Sequence, residues 1–255
     1  MKVVGMGVAL VTGGACRIGA QICRSLANAG HKVIIHYNSS KSEADSLAKE
    51  LGEFTEVATV KADLGVQDES TNLLSKSIEF FGPIDILINN ACYFEYDNIK
   101  SFNLDYFNRS IAINTMAPII LSRDFANQVP DTGGVLINIL DQKLVNPNPD
   151  YLSYTISKTA IAGIIESLAM GLAPSSVRVN GIAPGLTMPS PHASIKSFEE
   201  VHDNTPLRRG STAEDIGDAV LFLVSARAVT GQLIFVDGGE RLIPRDKDIL
   251  YDGGN

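Results

Sequence analysis

Two side chains in the pentapeptide "YTISK", Tyr154 and Lys158, have the spacing of a proton-transfer pair. Four positions apart on a helix, predicted here over 151–173, they project from one face. Tyrosine ordinarily titrates near pH ~10, and a neighbouring ammonium would lower its pKa towards neutrality by stabilising the phenolate. The pair predicts an acid/base site, although such pairs also occur by chance on helix surfaces.

The segment "TGGACRIG" follows a short apolar run and precedes a helical pattern. Gly13 can adopt the positive φ that a turn from strand to helix requires, and Gly19 permits close packing of the helix on the strand. The helix amino terminus would offer N–H groups to a pyrophosphate. The segment predicts a dinucleotide-binding turn, with a tight turn that holds no ligand as the alternative.

The end of the second predicted strand, "IIHYNSSKS", determines which dinucleotide is expected. An acidic residue there would bind the ribose 2′-hydroxyl of NAD and repel a 2′-phosphate, but none precedes Glu43. The sequence instead offers Asn38, Ser39, Ser40 and Lys41, with Arg17 within reach. This favours NADPH over NADH. The same polar residues could also cap the following helix, and both roles could coexist.

Elements that could position these residues alternate along the chain as short β-branched runs and longer amphipathic segments. The strands are apolar throughout, as expected for a parallel sheet covered by helices on both faces. This pattern predicts an α/β fold: a single doubly wound, Rossmann-type domain over 1–255 with a mostly seven-stranded parallel sheet. The predicted strands are 8–12, 32–37, 55–62, 84–90, 134–140, 177–183 and 233–238.

The composition excludes several other classes of protein. A net charge of −8 over 255 residues argues against nucleic acid or an anionic membrane as the main partner. Three cysteines cannot form a complete disulfide framework, which favours a reducing, cytoplasmic setting. The four histidines lack metal-binding spacing, so no metal is expected. The apolar amino terminus faintly resembles a signal peptide, but it continues into the strand–turn–helix unit, and we expect no membrane-spanning stretch.

The segment 185–211 interrupts the α/β alternation with several prolines. It follows a predicted strand at the sheet edge where ligands of such folds bind. Its length predicts a flap over the substrate, with a surface excursion as the alternative.

Six motifs in order make the chain similar to the short-chain dehydrogenase/reductase family: "TGGACRIG", "DL" at 63–64, "NNA" at 89–91, Asn114, "YTISK" and "PG" at 184–185. The resemblance implies that Tyr154 donates a proton, that Lys158 holds the nicotinamide ribose and tunes Tyr154, and that Asn114 supports a water relay. It also implies a homotetramer. The cofactor-binding residues that it implies are Gly13, Arg17, Ile18, Gly19, Asn38, Ser39, Ser40, Asp63, Leu64, Asn90, Ala91, Tyr154, Lys158, Pro184, Gly185 and Thr187.

Asp141 departs from most of that family, which has serine thirteen residues before the tyrosine. Reduction of a carbonyl forms an alkoxide, and a carboxylate ~4 Å away would oppose it by about 4 kcal/mol at an effective dielectric of ~20. In the reduction of a C=N bond the carboxylate has the opposite effect and favours the reaction, because an anion stabilises the protonated nitrogen. Asp141 therefore favours imine reduction, although it could instead brace the loop that follows.

An aspartate at this position is similar to pteridine reductases and dihydromonapterin reductases within the family. This resemblance implies a pterin or folate-like substrate bound by Arg17, Phe94, Asp141 and Tyr154, with Phe94 stacking on the pterin. Two residues depart from the subgroup: Ser39 stands where arginine is common, and Cys92 where serine is common. A carbonyl reductase, a non-catalytic NADP(H) sensor and a plain core role for Phe94 remain alternatives.

Overall fold

The computed structural model describes residues 6–189 and 195–248. Strands and helices alternate through most of this length, as the apolar runs predicted. The strands are Val8–Val11 (β1), Lys32–Tyr37 (β2), Val57–Lys61 (β3), Ile86–Asn89 (β4), Gly134–Ile139 (β5), Val177–Pro184 (β6) and Leu233–Val236 (β7). The α-helices are Arg17–Asn28 (α1), Lys41–Leu51 (α2), Gln67–Phe81 (α3), Leu104–Ile111 (α4), Ala117–Gln128 (α5), Leu152–Ala162 (α6), Ile165–Leu172 (α7), Ile195–Asp203 (α8) and Ala213–Ser225 (α9).

The seven strands form one parallel sheet in the order β3-β2-β1-β4-β5-β6-β7. The strand order reverses between β1 and β4, which opens a crevice at the carboxyl ends of these two neighbours. Each predicted strand overlaps an observed one, and the ends differ by no more than two residues. The prediction of a single Rossmann-type sheet is confirmed.

Helices cover both faces of the sheet and create two large apolar layers. One layer packs α1, α2 and α9 against the sheet and includes Ile22, Leu26 and Ile216. The other packs α3, α5 and α7 against the opposite face and includes Leu73, Leu121 and Ile165. Because both faces are covered, every residue of β1 and β4 is buried, which explains why these strands do not alternate between apolar and polar residues.

The helix predicted over 151–173 is interrupted in the structure. Tyr151 has a φ of 54°, so the helix begins only at Leu152. It ends at Ala162 and resumes at Ile165 after a non-helical Ile164. The stretch Leu152–Ser175 is long and apolar enough to cross a membrane by length and composition. It also carries the buried Tyr154 and Lys158, so we interpret it as packed against the sheet.

The predicted flap at 185–211 is more than a loop, because α8 lies within it. Residues 190–194 fall outside the described residues, so the substrate-covering role of this segment stays a prediction. Its two ends are well defined. One follows β6 directly, and the other leads into a capping box in which Thr212 and Asp215 start α9.

Candidate active site

Thr12, at the end of β1, fixes the relative position of two predicted cofactor motifs. Its buried hydroxyl accepts hydrogen bonds from the backbone N–H groups of Asn90 (2.9 Å) and Ala91 (3.0 Å). The Asn90 amide in turn donates to the carbonyl oxygens of Thr12 (2.9 Å) and Gly13 (3.0 Å). The family resemblance implies that Asn90 and Ala91 bind the cofactor, but no motif indicated that the Thr12 hydroxyl holds them.

The backbone of the glycine turn packs closely against the loop after β4 at Gly13 and Gly19. Gly13 has a φ of 60°, and a Cβ there would lie 2.9 Å from the Cα of Ala91. A Cβ on Gly19 would overlap the Gly13 carbonyl and lie 2.6 Å from the Asn90 amide nitrogen. Both positions therefore require glycine, and the half-buried Ile18 lies beside Gly19 in the first turn of α1. This close approach fits a turn that leaves room for a phosphate group.

His36 supports the same turn, although no motif in the sequence indicated a role for it. Its Nδ1 accepts the N–H of Gly13 (3.0 Å), while its carbonyl accepts the N–H of Gly14 (2.9 Å). Nε2 lies 3.0 Å from the Ala62 carbonyl, which fixes the neutral ring with its proton on Nε2. Burial lowers the pKa of His36 to about 4. The one feature of the sequence that could have indicated this role is the position of His36, one residue before the end of β2.

A cleft of about 190 Å³ opens beside the glycine turn at the end of β2. Ser40 begins α2, but its side chain makes no capping hydrogen bond within the described part of the chain. The Lys41 ammonium pairs with Asp45 (2.5 Å) on the exposed face of α2, so the structure does not bring this predicted phosphate ligand into the cleft. The cleft is lined by Gly13, Ala15, Cys16, His36, Tyr37, Asn38, Ser39, Ser40, Asp63, Leu64, Ala91, Cys92 and Ile113.

Asp63 and the buried Leu64, which the family resemblance implies bind the cofactor, also line this cleft. The Asp63 carboxylate is held by Arg109 of α4, whose Nη2 lies 3.0 and 2.8 Å from its two oxygens. Partial burial acts against ionisation, but the hydrogen bond from Arg109 keeps the pKa of Asp63 below its usual value. Arg109 lies 46 residues from Asp63 in sequence, so only the fold reveals the pair.

Asn114 lies in a π-helical turn, Ala112–Met116, between α4 and α5. Its side chain accepts the N–H of Tyr93 (2.8 Å) and donates to the Tyr93 carbonyl (2.9 Å) and the Ser157 hydroxyl (2.9 Å). Such turns often occur where a functional side chain interrupts a helix. Asn114 thus joins the loop after β4 to the helix of Tyr154, and the water relay implied for it stays a prediction.

Tyr154 and Asp141 form the centre of the site. The phenol donates a 2.6 Å hydrogen bond to Oδ2 of Asp141, which follows β5. The Lys158 ammonium lies 5.9 Å from the Tyr154 ring centroid and donates to the carbonyl of Ile139 (2.7 Å). Tyr154 and Lys158 are both 5% exposed. The fold therefore brings together the three residues that the sequence singled out for proton transfer.

The electrostatics of this pair differ from the sequence-based expectation. Burial and the neighbouring Asp141 carboxylate raise the pKa of Tyr154 well above its ordinary value. The net shift is opposite to the lowered pKa expected from the sequence, because burial of the phenol is its largest cause and the hydrogen-bonded Asp141 carboxylate adds to it. Burial also raises the pKa of Asp141, despite the hydrogen bonds from Tyr154 and from the Lys143 N–H. The pair therefore retains its protons more readily than isolated side chains would.

Asp141 also braces its own loop, so the structural alternative is correct as well. Its Oδ1 accepts the N–H of Lys143 (2.8 Å) at the start of a short 3₁₀ turn. The buried Lys143 ammonium donates to the carbonyl of Asp150 (2.5 Å) and pairs with Asp248 (3.1 Å). Each Asp141 oxygen thus has a different partner, one structural and one at the site.

An aromatic group lies above Tyr154. Phe94 stacks on Tyr151 at 4.1 Å between ring centroids and meets the edge of Tyr154 at 4.7 Å. Phe94 is 37% exposed, which argues against a plain core role. The loop that carries Phe94 is tied to α6 through the buried Asp97, which accepts the N–H (2.9 Å) and the hydroxyl of Ser153. Asp97 thereby fixes the first turn of α6 one residue before Tyr154.

The predicted residues at the base of the flap are also ordered. The N–H of Gly185 donates to the carbonyl of Val236 (3.1 Å), directly after Pro184. The buried Thr187 hydroxyl contacts the Gly185 carbonyl and the Ser211 hydroxyl, each at 2.9 Å. The exposed Arg17, predicted to reach both cofactor phosphate and pterin, donates to the carbonyl of Pro189 (3.0 Å) and so points from the glycine turn towards the flap.

Comparison with known proteins places this site in a family. Residues 13–240 match the family model described as enoyl-(acyl carrier protein) reductase. Pteridine reductase 1 of Leishmania tarentolae is 30% identical over 92% of this chain and 96% of that protein. The chain belongs to the short-chain dehydrogenase/reductase family. It is therefore an oxidoreductase, and the recognition of this family from six sequence motifs is confirmed.

Two solved structures share the fold of this short-chain dehydrogenase/reductase. FolM alternative dihydrofolate reductase 1 from Brucella canis, complexed with NADP, has a TM-score of 0.91 and 35% identity, covering 98% of this chain and 99% of that one. A blue fluorescent protein from a metagenomic library, in complex with NADPH, has a TM-score of 0.85 and 30% identity, covering 94% and 99%. Both proteins were crystallised with the phosphorylated dinucleotide.

Proposed function

We propose that this chain is an NADPH-dependent reductase of a pterin C=N bond, converting a dihydropterin such as dihydromonapterin, dihydrobiopterin or dihydrofolate into the tetrahydropterin. The observation that carries the proposal is the 2.6 Å hydrogen bond from the Tyr154 phenol to the Asp141 carboxylate. This contact places a carboxyl group one hydrogen bond away from the predicted proton donor.

The sign of the charge at Asp141 favours a nitrogen over an oxygen as the proton acceptor. A carbonyl oxygen next to the Tyr154 phenol would gain negative charge during reduction, and an ionised Asp141 would oppose that charge. An imine nitrogen is instead protonated as the adjacent carbon is reduced. A nearby anion stabilises the protonated nitrogen, so the same group assists the reaction.

The pair also provides a route for the proton. Because its pKa is raised by burial, Asp141 holds a proton more readily than an exposed carboxyl group. A protonated Asp141 can donate to the Tyr154 oxygen while Tyr154 donates its own proton to the substrate nitrogen. The relay moves one proton from Asp141 through Tyr154 to the nitrogen before the hydride attacks the adjacent carbon, and it leaves Asp141 ionised beside the protonated nitrogen that its charge stabilises. Asp141 regains a proton from solvent after the reaction.

The described residues fit NADPH at the predicted positions. The glycine turn at Gly13 and Gly19 leaves room for the pyrophosphate, and Asn38, Ser39 and Ser40 line the cleft where a 2′-phosphate would lie. When bound, NADPH supplies the hydride. The two neighbours crystallised with NADP and NADPH support this choice.

Substrate support comes from the aromatic wall and from the relatives. The half-exposed Phe94 presents an aromatic surface beside Tyr154, suited to a flat heterocycle. A pteridine reductase and an alternative dihydrofolate reductase are among the proteins that this chain is similar to. Reduction of a pterin is the common chemistry that these names suggest.

The test is a panel assay of NADPH oxidation with dihydromonapterin, dihydrobiopterin, dihydrofolate and several ketones. We expect turnover with at least one dihydropterin and little or none with the ketones. Turnover of ketones with inactivity on every pterin would overturn the proposal and favour a carbonyl reductase. Tight NADPH binding without turnover of either class would favour a sensor.

We also infer that the chain forms a homotetramer, in part through α6. Supporting this, α6 exposes Ile156 (39%), and the adjoining turn and α5 expose Met116 (45%) and Ile119 (39%). Such an apolar surface is suited to a symmetric contact between copies. Light scattering during size-exclusion chromatography tests this, and a monomer at micromolar concentration would contradict it.

A further inference from the structure

Glu240 is a buried carboxyl group that neither proton transfer nor cofactor binding uses. It begins a 3₁₀ turn after β7 and is 2% exposed. Its Oε2 accepts the N–H of Leu186 (2.7 Å), and its Oε1 accepts the side-chain amide of Gln142 (3.3 Å). One carboxylate therefore joins the base of the flap to the residue that follows Asp141.

The base of the flap is closely fitted to this carboxylate. A Cβ on Gly185 would lie 2.6 Å from Oε2 of Glu240, so the chain after Pro184 passes directly over the carboxyl group. The next residue, Leu186, is held on both sides of its backbone, because its carbonyl lies 2.6 Å from Nε2 of His202 in α8. Thr187, one of the residues that the family resemblance implies bind the cofactor, is the following residue.

Several charged groups surround Glu240. Asp141 and Asp237 oppose its ionisation, whereas Arg245 favours it. The Arg241 guanidinium forms its ion pair with Asp237 (2.9 Å) and not with Glu240. The interior position and the two neighbouring carboxylates together make the charge of Glu240 sensitive to pH near neutrality.

We propose that Glu240 is a positioning residue whose ionised carboxylate holds Leu186, and with it the base of the flap, against the active-site loop. An ionised acceptor forms a stronger hydrogen bond with an N–H group than a neutral one. Gln142 can meet either form of Glu240 by rotating its amide, but the Leu186 N–H can only donate. Protonation of Glu240 therefore weakens its hydrogen bond with the Leu186 N–H, whereas its hydrogen bond with Gln142 can be retained.

The direction of the pH dependence follows. Burial raises the pKa of Glu240 to about 7, from an ordinary value near 4.5. Above pH 7 the carboxylate is ionised and the hold on Leu186 is strong. Below pH 7 the group is protonated and the hold weakens, so the base of the flap is freed on the acid side of neutrality.

The test compares Glu240→Gln with the wild type for NADPH affinity, measured by titration without a second substrate at pH 6, 7 and 8. Glutamine has the same shape, but it lacks the charge and can accept only one of the two hydrogen bonds. We expect the Kd of the variant to exceed that of the wild type about fivefold at pH 8, and the ratio to approach one at pH 6. Because both Kd values are measured at the same pH, any effect of the titration of the NADPH phosphate is the same in both and cancels in their ratio. Glu53→Gln, at an exposed position, should match the wild type at every pH.

A ratio that stays constant from pH 6 to pH 8 would overturn the proposal and show that Glu240 is only structural. A second measurement needs no variant and no ligand: hydrogen exchange of the 184–189 segment in the wild type, corrected for the intrinsic pH dependence. We expect lower protection at pH 6 than at pH 8, and equal protection would also overturn the proposal. Only the affinity test depends on NADPH being the cofactor, as the proposed function holds. Failure of the pterin assignment leaves both experiments intact.

Discussion

The Tyr154 phenol lies 2.6 Å from the Asp141 carboxylate, although the two residues belong to different elements. Tyr154 lies in the first turn of α6, which Asp97 fixes through Ser153, whereas Asp141 follows β5 and is fixed by the Lys143 N–H. Each partner is therefore positioned independently. The contact is a property of the fold, and it places a carboxyl group one hydrogen bond away from the phenol.

Asn38→Asp should change the cofactor preference. The new carboxylate would lie in the cleft beside Ser39 and Ser40 and repel the 2′-phosphate of NADPH. We expect the Kd for NADPH to rise about tenfold or more, with that for NADH changed little or lowered. Fluorescence titration with both cofactors checks this. Asn28→Asp makes the same change of charge at an exposed position and should leave both affinities unaltered; equal loss for the two cofactors in Asn38→Asp would refute the assignment of the 2′-phosphate.

Phe94→Ala should affect the pterin more than the cofactor. It removes the ring that stacks on Tyr151 and borders Tyr154. We expect the KM for the pterin to rise about tenfold, consistent with a stacking contribution of order 1–2 kcal/mol, with the Kd for NADPH within twofold of the wild type. Steady-state kinetics provides the first quantity and titration the second. An unchanged pterin KM would show that the substrate lies elsewhere.

Thr12→Val should destabilise the protein, although the valine side chain has nearly the same shape as threonine. The substitution leaves the N–H groups of Asn90 and Ala91 without their acceptor in a buried position. Each unsatisfied group costs about 1–3 kcal/mol, so we expect unfolding free energy to fall by about 2–4 kcal/mol. Urea denaturation measures this. Thr159→Val, on the exposed side of α6, should cost less than about 1 kcal/mol, and similar values for the two variants would contradict the role of the Thr12 hydroxyl.

His36 should make stability fall on the acid side of neutrality. Its pKa is about 4 in the folded protein and near 6.5 when unfolded, so the unfolded chain binds the proton first. The resulting loss is absent above pH 6.5 and grows as the pH falls to 4, reaching about 3 kcal/mol. Urea denaturation at pH 7, 5.5 and 4.5 should show this slope in the wild type. The slope should be smaller in His36→Asn, which keeps an acceptor near the position of Nδ1, and identical slopes would show that His36 does not contribute.

Local patterns were sufficient to predict the sheet and the residues on its carboxyl edge. Strands buried on both faces are apolar throughout, and glycines at 13 and 19 are required by contacts that any side chain would obstruct. Tyr154 and Lys158 share a helix, so their spacing alone placed them together. Asp141 was predicted from its position relative to Tyr154, a signal that came from the family pattern.

Long-range partners were beyond the sequence, because nothing local encodes them. Arg109 meets Asp63 across 46 residues, and Glu240 meets Gln142 across 98. The pKa of Tyr154 was predicted in the wrong direction for the same reason, since burial of the phenol, the largest cause of the upward shift, depends on how distant parts of the chain pack. The break after Ala162 was also missed, because the apolar pattern continues through it.

The most direct test of the account is the turnover of Asp141→Asn with a dihydropterin that the wild type reduces. Asparagine keeps the shape and a hydrogen-bonding partner for the phenol, but it can neither carry the charge nor supply a proton. We expect kcat to fall about 100-fold or more, with the Kd for NADPH within twofold of the wild type. Asp218→Asn, at an exposed position, should leave both quantities unchanged. A variant that reduces dihydropterin at the wild-type rate would contradict the proposed role of Asp141 in proton transfer.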